Sequence, residues 1–157
     1  MSQEYFSVAL SSNVNLAIPL SSMGAVIQVE AQNICTIPGV ADFWHGTINF
    51  KGSLLWVLDS DRYFKLDGKR NRHTNKHTAV IIQQDRSQSS KKIALITSKL
   101  LGIASLKPDS LEQLAEDSSA LEQCCSGVDQ DETKRIFILN PYNLFERLYQ
   151  SSTLVSA

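Results

Sequence analysis

Hydrophobic and polar residues alternate along most of this chain with the period of two that is typical of β-strands. The first two alternating segments cover residues 6–10 and 16–20, and Ser11-Ser12-Asn13 between them has the composition of a turn. Further alternating or apolar segments cover residues 78–82, 92–97, 100–105 and 135–139. The pattern therefore predicts an all-β protein.

The most distinct hairpin is predicted around Asn49-Phe50-Lys51-Gly52, with strands at residues 47–49 and 53–58. Gly52 suits the tight turn because glycine adopts positive φ values without a steric cost. Residues 54–58 are apolar on both faces of the second strand. This strand is therefore predicted to be buried on both sides.

Helical signals are few and short. Residues 21–28 are predicted to form a short helix that is capped by Ser21 or Ser22, and residues 110–122 are a second candidate. Residues 141–149 are predicted to form a closing helix. Asn140 would be the N-cap of this helix, and proline is favoured at the first helical position, which follows it.

A weak internal repeat relates the two halves of the chain. Residues 55–59 overlay residues 136–140, because in each case an apolar strand ends at a polar capping residue and is followed by an apolar helical turn. This alignment places Trp56 and Phe137 at equivalent core positions. The order of the flanking elements also agrees, so two similar β-lobes are predicted rather than one sheet.

The charge of the chain narrows the classes of function. Its 157 residues include 15 Lys and Arg and 16 Asp and Glu, and the formal net charge is −1. This balance argues against a dedicated binder of nucleic acid or anionic membranes, because clustered positive charge supplies most of the affinity of such proteins. Lys51 is the first basic residue, and no apolar run approaches the roughly 18 residues of a membrane span. We expect a cytoplasmic protein without direct membrane insertion.

The cysteines predict neither a disulfide framework nor a zinc site. There are three, Cys35, Cys124 and Cys125, and no Cys-x-x-Cys is present. The adjacent pair Cys124-Cys125 is expected to remain as two reduced thiols in a cytoplasmic protein. No metal is predicted from these residues.

Three sets of polar residues were candidates for catalysis or metal binding. His73 and His77 have the i, i+4 spacing of helical metal ligands, but their segment has no apolar face and is predicted to be a solvated loop. Asp59 and Asp61 fit a strand-end cap and an exposed acid, and His45 fits a half-buried surface histidine. No catalytic residue and no cofactor is therefore predicted. A hydrolase that uses His45 or the two aspartates is the alternative enzyme hypothesis.

Two segments are strongly charged. Residues 65–77 contain five basic residues, residues 109–132 contain eight acidic ones, and both segments are predicted to be exposed connections. The basic residues between Lys65 and Lys76 support an alternative function, a small β-barrel that binds nucleic acid. This alternative predicts that binding to DNA or RNA weakens steeply with salt.

The segment that runs from Ile37-Pro38 through the hairpin to Asp59 resembles the central signature of the CheW-like family, the adaptors of bacterial chemosensory arrays. In that family an Ile-Pro and an apolar stretch lead into a Gly-Val-x-Asn-x-Arg-Gly hairpin. Three residues of this motif are matched in the present sequence, at Gly46, Asn49 and Gly52. Lys51 replaces the arginine, and Phe50 stands where leucine is usual. The resemblance extends over nearly the whole chain.

The resemblance implies a fold of two interleaved five-stranded β-barrel lobes with short helices. It implies a single CheW-like domain over residues 1–150, followed by a C-terminal tail at residues 151–157. It also implies a non-catalytic adaptor that binds the regulatory domain of a CheA-type histidine kinase and a methyl-accepting chemotaxis-type receptor. The pathway would control chemotaxis, phototaxis or pilus motility.

The resemblance further implies where the partners bind. The receptor is expected in a groove between the lobes, at Met23, Gly46, Asn49, Lys51 and Gly52. In this groove Gly46 would allow a helix to approach closely, Met23 would adapt its shape, and Lys51 would pair with an acid. The kinase is expected to contact apolar edge residues at Val8, Ile18 and Val26.

Overall fold

The computed structural model describes residues 3–66, 75–85, 91–107, 119–130 and 135–151. Within these ranges the chain forms ten strands: β1 (Gln3–Ala9), β2 (Val14–Pro19), β3 (Met23–Glu30), β4 (Trp44–Phe50), β5 (Ser53–Leu58), β6 (Lys76–Gln83), β7 (Lys92–Thr97), β8 (Lys99–Leu106), β9 (Cys125–Gln130) and β10 (Arg135–Leu139). The same ranges contain three α-helices: α1 (Ser60–Tyr63), α2 (Ala120–Gln123) and α3 (Pro141–Ser151). The all-β prediction is confirmed.

The strands form two five-stranded sheets with corresponding orders. Sheet I has the order β8-β1-β2-β10-β9, and sheet II has the order β3-β6-β7-β5-β4. Strands at the same position in the two sheets are five strands apart in the chain: β8 corresponds to β3, β1 to β6, β2 to β7, β10 to β5 and β9 to β4. The first hairpin of each half therefore joins the sheet of the other half, which confirms the prediction of two interleaved lobes.

The repeat between β5 and β10 is confirmed by their pairing. Each is antiparallel to the strand before it, β4 or β9, and parallel to a strand of the other half, β7 or β2. Trp56 pairs with Ile93 across one parallel ladder, and Phe137 pairs with Leu16 across the other. The two aromatic residues thus occupy equivalent positions, but Phe137 is buried whereas Trp56 is only partly buried.

The core has three parts. All five strands of sheet II contribute to one apolar cluster, so this sheet curves around an interior of its own. A smaller cluster, with Tyr5 and Ile138 among its members, packs within sheet I. The largest cluster contains residues of both sheets and of all three helices, so it lies between the sheets. The central strands β2 and β7 are accordingly buried on both faces.

This packing corrects two of the expected kinase contacts. Val8 and Ile18 are fully buried in the cluster between the sheets. Their strands, β1 and β2, are inner strands of sheet I, so their backbones are also paired on both sides. Neither residue can contact a partner directly, and the prediction is wrong for both.

The helix predictions differ in outcome. The helix predicted at residues 21–28 is wrong, because a short 3-10 turn at Leu20–Ser22 leads directly into β3, which pairs with β6. The closing helix is confirmed, and the Asn140 side chain accepts a hydrogen bond from the Asn143 N–H at 3.2 Å. Of the helix predicted at residues 110–122, only the end is described, as α2, and Ser119 caps it.

Several predictions fall on residues outside the described ranges. These are the centre of the basic segment (residues 67–74, with His73), half of the acidic segment (residues 109–118, 131 and 132) and the tail after residue 151. The other half of the acidic segment contains α2 and β9, with Leu121 and Val128 buried, so its prediction as an exposed connection is wrong there. At the end of the basic segment, however, His77 is buried within β6. The prediction of an exposed connection is therefore wrong at this residue.

Candidate functional site

The hairpin between β4 and β5 has the predicted turn. Lys51 and Gly52 both have positive φ, at 51° and 81°, which is the backbone conformation of a type I′ turn. The Asn49 side-chain oxygen accepts a hydrogen bond from the Gly52 N–H at 3.0 Å. Asn49 and Gly52 therefore hold the turn, and they leave Lys51 exposed at its tip, with its ammonium 5.3 Å from the centre of the Phe50 ring.

Gly46 has a different role from the one expected. It is buried, and a Cβ atom at this position would lie 2.5 Å from the Cys35 carbonyl oxygen and 2.6 Å from Cγ2 of Ile34. The same segment pairs with β4, because Cys35 and Thr47 exchange two backbone hydrogen bonds of 2.8 and 2.9 Å. The chain itself thus occupies the space beside Gly46, and the prediction that this glycine receives a partner helix is wrong.

Met23 begins β3 and belongs to a row that crosses sheet II. It pairs with Ile82, which pairs with Ile93, which in turn pairs with Trp56. All four side chains pack on the face of sheet II that is directed towards sheet I. Met23 and Trp56 are partly buried, whereas the two isoleucines between them are buried.

The Trp56 end of this row opens into a groove between the lobes, which we call the tryptophan groove. Three apolar residues of sheet II, Trp44, Trp56 and Ile93, line one side, and three residues of helix α3, Phe145, Leu148 and Tyr149, line the other. Lys91 and Lys92 complete its lining, and the volume is about 250 Å³. The two indole rings lie 5.3 Å apart, and the Lys91 ammonium lies 4.3 Å from the centre of the Tyr149 ring.

Leu54 extends this apolar surface towards the hairpin tip. It lies two residues before Trp56 on β5, so both side chains are on the same face of the strand. The prediction that β5 is buried on both faces is wrong at Leu54, which is 69% exposed. Sequence reasoning missed Leu54 as a surface residue, although its position next to the turn was a usable signal.

The edge strands carry a second set of exposed apolar residues. Val26 on β3 is 38% exposed, and Leu100, Leu101 and Ile103 on β8 are exposed as well. β3 and β8 occupy the same edge position in their respective sheets. Of the three residues expected to contact the kinase, the structure leaves only Val26 accessible.

The polar residues considered for catalysis have structural roles. The Asp59 side chain caps α1, accepting hydrogen bonds from the Asp61 and Arg62 N–H groups at 3.1 and 3.3 Å. Asp61 is buried, so its predicted exposure is wrong. His45 is half-buried, as expected, and stacks edge-on against His77 with ring centres 5.1 Å apart. His45 and Asp59 both line a cleft of about 410 Å³. The Asp59 carboxylate in this cleft accepts the hydrogen bonds that cap α1.

Cys124 and Cys125 lie in the core between the sheets. Burial raises the pKa of the Cys124 thiol to about 11, although Arg147 nearby opposes this shift. Burial also raises the pKa of Cys125 well above its ordinary value. Both thiols are therefore protonated and unreactive at neutral pH.

This difference among the cysteines gives a prediction. At pH 7.5 a thiol reagent such as DTNB should modify one cysteine per native chain rapidly, because Cys35 is exposed and the other two are buried. All three should react in denaturant, and Cys35→Ser should abolish the rapid phase. Rapid modification of two or three thiols in the native protein would contradict the assignment.

Comparisons with known proteins agree with this architecture. A sequence profile described as the CheW-like domain matches residues 4–148. A search of curated proteins found no match. Among solved structures, the scaffolding protein TtCheW from Thermoanaerobacter tengcongensis is similar, with a TM-score of 0.71 and 19% sequence identity over 88% of this chain and 89% of that chain. Among the described residues, no helix is both long and apolar enough to cross a membrane. The chain belongs to the CheW-like domain family.

Proposed function

We propose that this protein is a non-catalytic cytoplasmic adaptor that couples a methyl-accepting chemotaxis-type receptor to a CheA-type histidine kinase. Family membership and the likeness to a scaffolding protein support an adaptor role. The observation that carries the proposal is the presence of two separate apolar surfaces. One is the tryptophan groove with Leu54 beside it, and the other is the exposed edge of sheet II at Val26.

The two surfaces suit different kinds of partner. A groove between two packed elements accepts a helix, whereas an exposed edge strand suits another β-domain. We therefore assign the groove, together with the neighbouring hairpin tip at Asn49, Lys51 and Gly52, to the helical tip of the receptor. Met23 lies at the other end of the row, on edge strand β3, and is not part of this surface. The regulatory domain of the kinase is assigned to the β3 edge at Val26. The pathway is chemotaxis, phototaxis or pilus motility.

Paired binding measurements test this assignment. The receptor tip and the kinase regulatory domain from the source organism are titrated separately into the wild type, Val26→Asp and Leu54→Asp. A buried unpaired charge at an interface costs several kcal/mol, so each variant should lose at least about tenfold in affinity for one partner. Val26→Asp should weaken only kinase binding, and Leu54→Asp should weaken only receptor binding.

Each variant is the matched control for the other, because both replace an exposed aliphatic residue of sheet II with the same charge. Circular dichroism should show that both are folded. If neither partner binds the wild type, the adaptor role is wrong. If binding to DNA or RNA is found instead and falls steeply with salt, the nucleic-acid alternative is correct.

A further inference from the structure

Helix α3 forms one wall of the tryptophan groove, so the rotation of this helix about its own axis decides where the wall lies. Phe145, Leu148 and Tyr149 line the groove from α3, and the first two are buried. Burial of apolar surface is non-directional, so it holds a helix against its neighbours without fixing one rotation closely. The rotation of α3 therefore depends on directional contacts at its flanks.

Polar contacts hold α3 on two opposite flanks. Arg147 and Tyr149 are two residues apart, which is about 200° around a helix of 3.6 residues per turn. On one flank the Lys91 ammonium lies 4.3 Å from the centre of the Tyr149 ring. On the other flank the Arg147 guanidinium donates hydrogen bonds to the Tyr63 hydroxyl and the Cys124 sulfur. Both contacts depend on the angle at which the side chain leaves the helix, so together they oppose its rotation.

Arg147 makes its contacts with neutral groups of the core. Tyr63 and Cys124 both belong to the cluster between the sheets. Burial raises the pKa of the Tyr63 phenol, which therefore stays protonated at neutral pH and donates its hydrogen to the Cys124 sulfur. The Arg147 Nε is also buried and has no hydrogen-bond partner among the described residues. Because a buried donor without a partner costs stability, a gain in stability does not explain the arginine.

Tyr63 begins a row of aromatic rings that leads to the groove. Its ring packs edge-on against Phe43 with centres 4.8 Å apart. The Phe43 ring lies 5.5 Å from Trp44, and Trp44 lies 5.3 Å from Trp56. The two tryptophans belong to the groove wall opposite α3. Arg147 thus joins the helix that carries one wall to the end of the row that carries the other.

We propose that Arg147 is a positioning residue that fixes the rotation of α3 and thereby the shape of the tryptophan groove. It acts through Tyr63 and Cys124 and does not itself line the groove. Without these contacts α3 turns on its apolar face, and the two walls lose their fit to a partner. The consequence for receptor binding rests on the proposed adaptor function, whereas the positioning of α3 does not.

Tryptophan emission measures the groove directly, because both Trp residues of the chain line it. Arg147→Met keeps the length of the side chain and removes its donors. We expect the emission maximum of this variant to move to longer wavelength and quenching by acrylamide to increase, since a turned α3 covers the indole rings less well. The melting temperature should stay within about 5 °C of the wild type, because the lost contacts are with neutral groups.

Arg135→Met is the matched control, because Arg135 is exposed at the start of β10 and lies outside the groove lining. It should leave emission and quenching unchanged. Tyr63→Phe removes only the hydroxyl that Arg147 contacts, and it should shift the emission in the same direction as Arg147→Met. Because the two residues form one contact, the double variant should shift it no further than Arg147→Met alone. Arg147→Lys keeps a charge and donors and should restore part of the wild-type emission.

The outcomes separate this inference from the adaptor function. The inference is wrong if Arg147→Met is folded and has the emission and quenching of the wild type. It is also wrong if Arg147→Met no longer melts cooperatively, or if Arg135→Met shows the same change in emission, since neither effect would be specific to the groove. If the emission changes as expected, the receptor tip should bind Arg147→Met at least about tenfold more weakly than the wild type. Normal binding of the tip by that variant would leave the positioning of α3 intact and overturn the assignment of the receptor to the groove.

Discussion

Replacing Gly46 with alanine should destabilise the protein by about 2–5 kcal/mol, because backbone strain and overpacking act together at this position. Its φ of +146° is rarely adopted by residues with a side chain, and the added Cβ would lie 2.5 Å from the Cys35 carbonyl oxygen. A backbone atom cannot move aside as the end of a flexible side chain can. Urea denaturation measures the loss as a change in the free energy of unfolding.

Gly39→Ala is the matched control for this prediction. Gly39 also has a positive φ, at +84°, but a Cβ there would meet nothing within 4 Å. Its replacement should therefore cost only the strain, about 1–2 kcal/mol. Equal losses at the two glycines would show that the segment at Ile34 and Cys35 does not press against Gly46. The larger loss at Gly46 would show why a substitution there cannot be used to test receptor binding.

The second large effect is expected in the core between the sheets. Phe137→Ala should destabilise the protein by about 3–5 kcal/mol, as truncations of buried aromatic residues do. Phe137 is 3% exposed, and it packs against the central cluster and beneath the Arg135 guanidinium, 5.5 Å from the ring centre. Thermal and urea denaturation measure the loss.

The loss of stability in Trp56→Ala is the comparison for the loss in Phe137→Ala. Trp56 occupies the equivalent position in sheet II, yet one side of its ring borders the tryptophan groove and is already open. Truncation at Trp56 should therefore cost less than truncation at Phe137, although tryptophan is the larger side chain. A greater loss at Trp56 would mean that the groove is closed in solution. Both variants should retain the circular dichroism spectrum of a β-protein.

Local signals in the sequence predicted the elements that depend on neighbouring residues. Alternation located β7 and β10 to the residue, and turn chemistry located the hairpin at Gly52. The caps at Asn140 and Asp59 were predicted because capping joins residues within one turn of each other. The turn and the caps are held by partners within three residues in the sequence. β7 and β10 each pair with the strand just before them, although their second neighbours, β5 and β2, belong to the other half of the chain.

The failures have the opposite cause, since they depend on distant partners. The segment at β3 became a strand because β6 pairs with it, and its own residues alone also fit a helix. Val8 and Ile18 were assigned to the surface because alternation shows which residues share a face but not what covers that face. The tryptophan groove was also missed, because helix α3 comes from the other end of the chain.

The exchange of hairpins between the two sheets has a consequence for synthesis on the ribosome. Sheet II has all its strands once Thr97 has been made, but β1 and β2 must wait for β8, β9 and β10, which end at Leu139. At the usual 5–20 residues per second, Leu16 is made on the order of ten seconds before Phe137, its partner on β10. The earliest hairpin thus belongs to the sheet that is completed last, and neither half of the chain contains all the strands of either sheet.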